Sequence, residues 1–364
     1  MGHLRYRIGV YIVIVLTGTF FTVYGCDSEN LRSASFLGLG TLPSDVTSQG
    51  FGISADGLVV VGASFDDSNT PEAFRWMAQS GMVGLGTLPN MLGSFAQSAN
   101  RDGSVIGGSS TFFDTLVAFR WTEATGLERL TPPDAKLTAN IATGISADGT
   151  VIVGGAGGGF TPEAYRWTAA GGLVGLGTLS GGTSSCAEGV SADGNVITGA
   201  STNDTGEDVA FRWTSDSGMI ALPLLAGAIG SEGFGISADG NVIVGGSVFP
   251  DGSFEATLWN NTGAVGLGKL PGHMVSSARA TSQDGSVVVG HSSECIGCTN
   301  IAFIWNEQNG IRSLRDVLVS VGLSEELQGW VLMEANAISD DGHVITGIGE
   351  NPSGLDESFI ATLP

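Results

Sequence analysis

The apolar positions of this chain fall in short runs that return at a fixed interval. The clearest is a β-branched cluster closed by glycine, as in Leu58-Val59-Val60-Val61-Gly62, which predicts a strand buried on both faces. Ser-x-Asp-Gly stands ahead of it; a variable polar loop, Ala-Phe-Arg-Trp and Leu-Gly-x-Leu follow, some copies being degenerate. Within Ala-Phe-Arg-Trp a period of two separates Phe74 and Trp76 from Ala73 and Arg75, the alternation of a strand. The Asp-Gly marks are Asp56, Asp102, Asp148, Asp193, Asp239, Asp284 and Asp341, spaced 46, 46, 45, 46, 45 and 57 residues apart. Such spacing implies stacked copies of one supersecondary unit.

Each copy predicts four short strands, A to D, which in the first copy cover residues 48–55, 57–64, 72–78 and 81–88. Asp-Gly between A and B predicts a hairpin with a tight primed turn, glycine supplying the positive φ and aspartate tolerating it. Four strands in about 46 residues match one propeller blade. The chain ends decide how such blades would close. Residues 36–43 form a D segment with no A, B or C before it, and the last copy stops after C at Pro364. The expected fold is therefore all-β: a seven-bladed β-propeller of four-stranded blades whose N-terminal strand closes the last blade and leaves no open edge. In the one longer interval Leu314, Val317, Leu318 and Val321 follow helical spacing before Gly322, and Ser324 with Glu325 and Glu326 starts a further helical turn.

Composition narrows the chemistry. Charged residues make up 14%, and acidic ones outnumber basic ones 36 to 14, for a net charge of −22. A polyanion would approach against that field, so nucleic acid is excluded as a partner. Residues 1–25 read as an export signal, with Arg5 and Arg7 ahead of an uncharged apolar stretch over residues 8–24. Val23-Tyr24-Gly25-Cys26 resembles a bacterial lipobox, although Tyr24 departs from the small residue usual there. Cys26 is then the lipid anchor, residues 26–33 a polar tether and residues 34–364 the propeller. Ordinary cleavage, or an uncleaved anchor of barely sufficient length, are the rival readings.

In a four-stranded blade the B–C and D–A loops share one face. The B–C loops carry Asp66, Asp67, Asp114, Asp204, Glu207, Asp208, Asp251, Glu255, Glu294, Glu350, Asp356 and Glu357, so that face is acidic. It is the expected ligand face, the alternative being that long loops are simply solvated by carboxylates. A divalent cation would suit it, although no segment has the ordered oxygen spacing of a calcium loop. His273 and His291 fall there too, near Glu294, Cys295 and Cys298. Zinc is conceivable, but Cys-x-x-Cys in an exported protein points first to a Cys295–Cys298 disulfide, leaving Cys186, assigned to a D–A loop, without a partner. His343 sits in an Asp-Gly turn and is expected to be exposed.

Repeated residues are read as structural. Arg75, Arg120, Arg166 and Arg212 become Leu258, Ile304 and Ile360 in later copies, so each arginine is expected to lie over tryptophan or pair with a carboxylate such as Glu72 or Glu163. Trp76, Trp121, Trp167, Trp213, Trp259 and Trp305 are assigned to packing between blades, and the seven aspartates to turns. No nucleophile elbow, phosphate loop, dinucleotide fingerprint or zinc-protease helix occurs. No catalytic, cofactor or metal residue is therefore assigned.

The combination Gly52-Ile53-Ser54-Ala55-Asp56-Gly57, Ala73-Phe74-Arg75-Trp76 and Leu85-Gly86-Thr87-Leu88 resembles the bacterial extracellular HAF repeat over residues 36–364. The close of the chain, from Gly329-Trp330 to Ala361-Thr362-Leu363-Pro364, is also similar to that family's ending. The resemblance implies an exported repeat protein with no catalytic residues to carry over, anchored here through Cys26. The expected function is a non-catalytic binding or interaction module on the cell envelope, taking an envelope protein, a polysaccharide or a divalent cation. A glycan hydrolase or lyase using Asp66, Asp67 or Asp208, or a structural or adhesive surface protein, are the alternatives.

Overall fold

The structure, a computed structural model, describes residues 9–11, 23–25, 32–113, 115–131, 139–157 and 162–364. Cys26 and most of residues 1–25 lie outside this set; Gly9–Tyr11 and Val23–Gly25 form a two-stranded antiparallel pair. Among the described residues no helix is long and apolar enough to cross a membrane.

The first unit is Thr47–Ile53, Val60–Phe65, Pro71–Met77 and Gly81–Gly86, hydrogen-bonded in that order as an antiparallel sheet. Strand B starts later than expected because Leu58 belongs to the turn and is 67% exposed, whereas the adjacent Val60 and Val61 are both fully buried. The same A-B-C-D order recurs along the chain, and units 5 and 6 are linked by one parallel bridge between Phe254 and Val275. The last sheet is Val331–Ile338, Val344–Glu350, Asp356–Thr362 and, outermost, Ser35–Gly38 from the start of the chain. Among the described residues helix is confined to α1, Leu314–Ser320, whose N-cap Ser313 accepts the N–H of Asp316. Residues 324–326 contribute hydrogen-bonded turns instead of a second helix.

The Ser-x-Asp-Gly motif builds a wider turn than the primed hairpin anticipated. Gly57 alone takes positive φ, +75°, and donates its N–H to the Ser54 carbonyl at 2.8 Å. The Asp56 carboxylate accepts the Leu58 N–H at 3.0 Å and the Ser54 hydroxyl at 2.6 Å, while that hydroxyl accepts the Val59 N–H at 2.9 Å. Serine thus links two groups that a two-residue turn would leave out of reach, which is why it repeats with aspartate. In unit 2 Asn100 replaces serine and accepts the Val105 N–H.

Each turn also grips the next. Arg101 donates its backbone N–H to Ala147, Ala147 to Ala192, Ala192 to Ala238, Ala238 to Gln283, Gln283 to Asp340 and Asp340 to Ala55, and the Asp56 N–H reaches the Arg101 carbonyl; all span 2.9–3.1 Å. Above these turns Ile53, Ala99, Ile145, Val190, Ile236, Thr281 and Ile338 line a hollow of about 180 Å³.

Every A strand carries a bulge against its B strand, between Gly50 and Gly52, Ala96 and Ser98, Ala142 and Gly144, Ala187 and Gly189, Gly233 and Gly235, Ala278 and Ala280, and Ala335 and Ala337. The repeated glycine within strand B sits beside it. A Cβ on Gly62, Gly108, Gly154, Gly199, Gly245, Gly290 or Gly347 would collide with the A-strand carbonyl of Gln49, Phe95, Ile141, Cys186, Glu232, Ser277 or Glu334.

The core lies between units, not within them. Val59, Val61 and Ala73 of unit 1 pack on Ile106, Val117 and Phe119 of unit 2, and Val151, Val153 and Ala164 of unit 3 on Ile197, Val209 and Phe211 of unit 4. One cluster joins Val344 and Leu39 of the last sheet to Ile53, Val60, Phe74 and Trp76 of the first. The tryptophans sit at these contacts as anticipated, and the Arg75 guanidinium lies 5.8 Å over the Trp121 ring of the next unit. Glu72 and Glu163 do not pair with arginine; they accept the backbone N–H of Gly86 and Gly177, closing the end of strand D.

Ser191→Ala leaves the Val196 N–H without its side-chain acceptor in a buried turn, and should cost about 1–2 kcal/mol in urea unfolding. Ser215→Ala, in an exposed turn, should stay within about 0.5 kcal/mol of wild type. Equal effects would remove the special role given to the motif.

Candidate functional site

The structure disperses the loop residues that the sequence singled out. Asp66 forms its own B–C turn, its carboxylate accepting the N–H groups of Ser68 and Thr70, and Asp67 meets the Ser68 hydroxyl. Glu255 and Glu357 are held by the backbone N–H groups of Gly268 and Gly40. Glu294 is exposed, and Cys295 and Cys298 form the anticipated disulfide, with Cα atoms 5.2 Å apart. His273 Nδ1 meets the Ser292 hydroxyl at 3.0 Å. His291 is a correction: it lies inside strand B of unit 6, Val287–Ser293, and not in a loop. Cys186, free as anticipated, is likewise in strand A of unit 4, Ser185–Val190, and not in the D–A loop. His343 is half-buried against the Leu363 carbonyl and not exposed. Among the described residues no group of three His, Cys, Asp or Glu side chains could hold a metal. Asp114 lies outside the described residues.

What the structure gathers comes instead from the bulges. The residue skipped in each A strand is Phe51, Gln97, Thr143, Glu188, Phe234, Arg279 or Asn336, always between small residues and of six types over the seven copies, phenylalanine alone recurring. A bulge re-aims its side chain out of the pleat alternation. Some of these residues tie neighbouring A strands together: Thr143 donates to the Ala187 carbonyl at 2.8 Å and Asn336 to the Gly50 carbonyl at 3.0 Å. Glu188, Phe234 and Arg279 instead line two hollows of about 310 and 360 Å³ that share Phe234 and Glu232. Asp208 borders the smaller one, the one sequence-chosen carboxylate to reach it; His291 and Asn300 border the larger. Two hollows above 800 Å³ are grooves between units lined by repeat residues such as Arg120 with Trp167 and Leu258 with Trp305, so they reflect packing that every unit shares.

The charges here are poorly compensated. The Arg279 guanidinium stacks 4.7 Å over the Phe234 ring. Among the described residues the ion pairs within 4.0 Å are Arg32–Asp341, Arg101–Asp340 and Lys269–Glu255, none of which involves it. Burial pushes the Glu188 carboxyl up to about 7, Cys186 and Arg279 opposing the rise and Glu232 adding to it. Glu232 is raised by burial and by Asp208, against Arg279. Burial first and Arg279 next push His291 down to about 4, against Glu334, so its imidazole is neutral at pH 7. It is 7% exposed, and its Nδ1 has no hydrogen-bond partner. Glu334 accepts from Asn300 Nδ2 at 2.8 Å. Burial also raises the Cys186 thiol, which stays protonated.

No protein-family model matches the sequence, nor does the sequence of any curated protein. Solved structures do match. TolB from Acinetobacter baumannii aligns with a TM-score of 0.51 at 18% identity, over 71% of this chain and 63% of that one. Oligogalacturonate lyase from Vibrio parahaemolyticus aligns at 0.57 and 12% identity, over 98% and 97%. An oligogalacturonate lyase in complex with manganese aligns at 0.58 and 13%, over 99% and 97%. These matched structures are propellers, and identities this low speak for the fold alone. The fold is a β-propeller. In a propeller the A strands are innermost, and the two hollows lie where these strands meet loop residues such as Ile296, Asn300 and Ser184.

Because Glu188 binds its proton more tightly folded than unfolded, its contribution to stability is complete below its ordinary value of 4.5 and is lost as pH rises through about 7. Between pH 5 and 8 wild type should therefore lose stability relative to Glu188→Gln, measured by urea unfolding of both. Parallel curves would show that Glu188 titrates normally.

Proposed function

We propose that this chain is an exported HAF-repeat protein whose seven units close into a seven-bladed propeller, the N-terminal strand completing the last blade, and that it works as a non-catalytic binding module on the bacterial envelope. The turn-to-turn hydrogen bonds that return from Asp340 to Ala55 support closure, as does the pairing of Ser35–Gly38 with Asp356–Thr362. The single observation behind the binding reading is the bulged position. A position that takes six residue types over seven copies, between small residues that scarcely vary, serves something other than the common fold, and three of the seven line adjoining hollows. Export through residues 1–25 and lipidation at Cys26 place the module at the membrane surface, where an envelope protein or a polysaccharide would be its partner.

A glycan lyase or hydrolase is the second reading. It is favoured by two carboxylates of raised proton affinity, Glu188 and Glu232, near Arg279 and a neutral His291. Asp66 and Asp67 have no part in it.

Thermal unfolding of the full chain against divalent cations, glycans and envelope extracts tests the reading, since a ligand at 100 times its Kd stabilises by about 2.7 kcal/mol. A saturable shift that Arg279→Ala removes is expected. No shift across the panel would leave a structural role, and glycan cleavage abolished by Glu188→Gln would establish the enzyme. Cys26→Ala should move the protein from the membrane fraction to the soluble exported fraction; retention on the membrane would exclude the lipid anchor.

A further inference from the structure

The hollow of about 360 Å³ holds charges of both signs that do not neutralise one another. Arg279 comes from strand A of unit 6 and Glu232 from strand A of unit 5; Glu188 borders the adjoining hollow, and Glu334 reaches its edge through Asn300. The guanidinium lies 4.7 Å over the Phe234 ring, and among the described residues it forms no ion pair within 4.0 Å. Neither Glu188 nor Glu232 forms one either. His291, buried beside them, keeps Nδ1 without a partner. Half-buried ions hold their charge only when compensated, and here each side has a counter-charge nearby that geometry keeps from direct contact. A molecule that spans the gap would satisfy both at once.

We propose that this hollow binds a small zwitterion of the amino-acid or short-peptide class, its carboxylate on Arg279 and its ammonium on Glu232. The proposal rests on the binding-module reading and names its ligand. A planar guanidinium receives a carboxylate through two parallel hydrogen bonds, and among the described residues Arg279 has no carboxylate of the protein in that position. The ammonium supplies the positive charge that the carboxylates lack. His291, neutral, offers hydrogen bonding without adding charge. A purely anionic sugar acid would engage Arg279 but bring a further negative charge beside Glu232, and a purely cationic ligand would leave Arg279 without a counter-ion. The volume suits a single amino acid or a dipeptide.

Calorimetric titration of the full chain with Ala-Ala, N-acetyl-Ala-Ala, Ala-Ala amide, galacturonic acid and the twenty common amino acids is the test. Saturable binding of Ala-Ala or of a free amino acid is expected, at least tenfold weaker once either its amine or its carboxylate is blocked. Arg279→Met should erase the preference for a free carboxylate, and Glu232→Gln the preference for a free amine; the wild-type series decides the matter even if a variant does not fold. Equal binding of a zwitterion and its blocked forms, or the absence of zwitterion binding, overturns the proposal. Binding of galacturonic acid alone overturns it while leaving the binding-module reading intact, which falls only if the wider thermal panel is also silent.

Discussion

Backbone hydrogen bonding between turns is the constraint on which the remaining structure depends. Each A–B turn donates to a neighbour, which holds the inner ends of the strands in fixed relation and sets the spacing at which the interfaces between units can fill. Because the apolar clusters form between sheets, no unit has a core of its own, and the stability of each is inseparable from its neighbours. The Ser-x-Asp-Gly motif is therefore more than a hairpin device: it presents the turn so that one N–H remains for the next unit and one carbonyl for the preceding one.

The same economy of backbone groups explains the bulges. One extra residue in strand A brings its backbone so close to strand B that only glycine fits opposite, and the flanking positions must be small. What remains is one side chain per unit that packing does not dictate. Where that side chain is Thr143 or Asn336 it ties adjacent A strands together; where it is Glu188, Phe234 or Arg279 it creates an uneven electrostatic field in an adjoining pair of hollows. Structural and functional demands are thus separated by a single position within one strand.

Much of this was legible in advance. The repeat interval, the four strands per unit, the helix at Leu314 and the Cys295–Cys298 disulfide all follow from local pattern, because each depends on residues close together in the chain. The turn type was misjudged because the serine hydroxyl's second hydrogen bond, to a residue five positions on, has no counterpart in the two-residue turns that Asp-Gly suggests. Asp208 and His291 do border the two hollows, and other singled-out carboxylates stay in their loops for a related reason. Loop carboxylates such as Asp66 look available in a sequence, but the loop's own N–H groups engage them. The signal that did exist was the small-x-small stretch whose middle residue takes six types over seven copies, as in Gly50-Phe51-Gly52 and Ala278-Arg279-Ala280.

By itself, the sequence determined the unit: its strands, its turns and its glycine against the bulge, since all of these answer to interactions within about fifty residues. Only the tertiary structure decided which non-repeating residues meet. Glu188, Glu232 and Arg279 converge from the innermost strands of three successive units, with His291 beside them from a B strand, and their surroundings follow from burial that no single unit can produce.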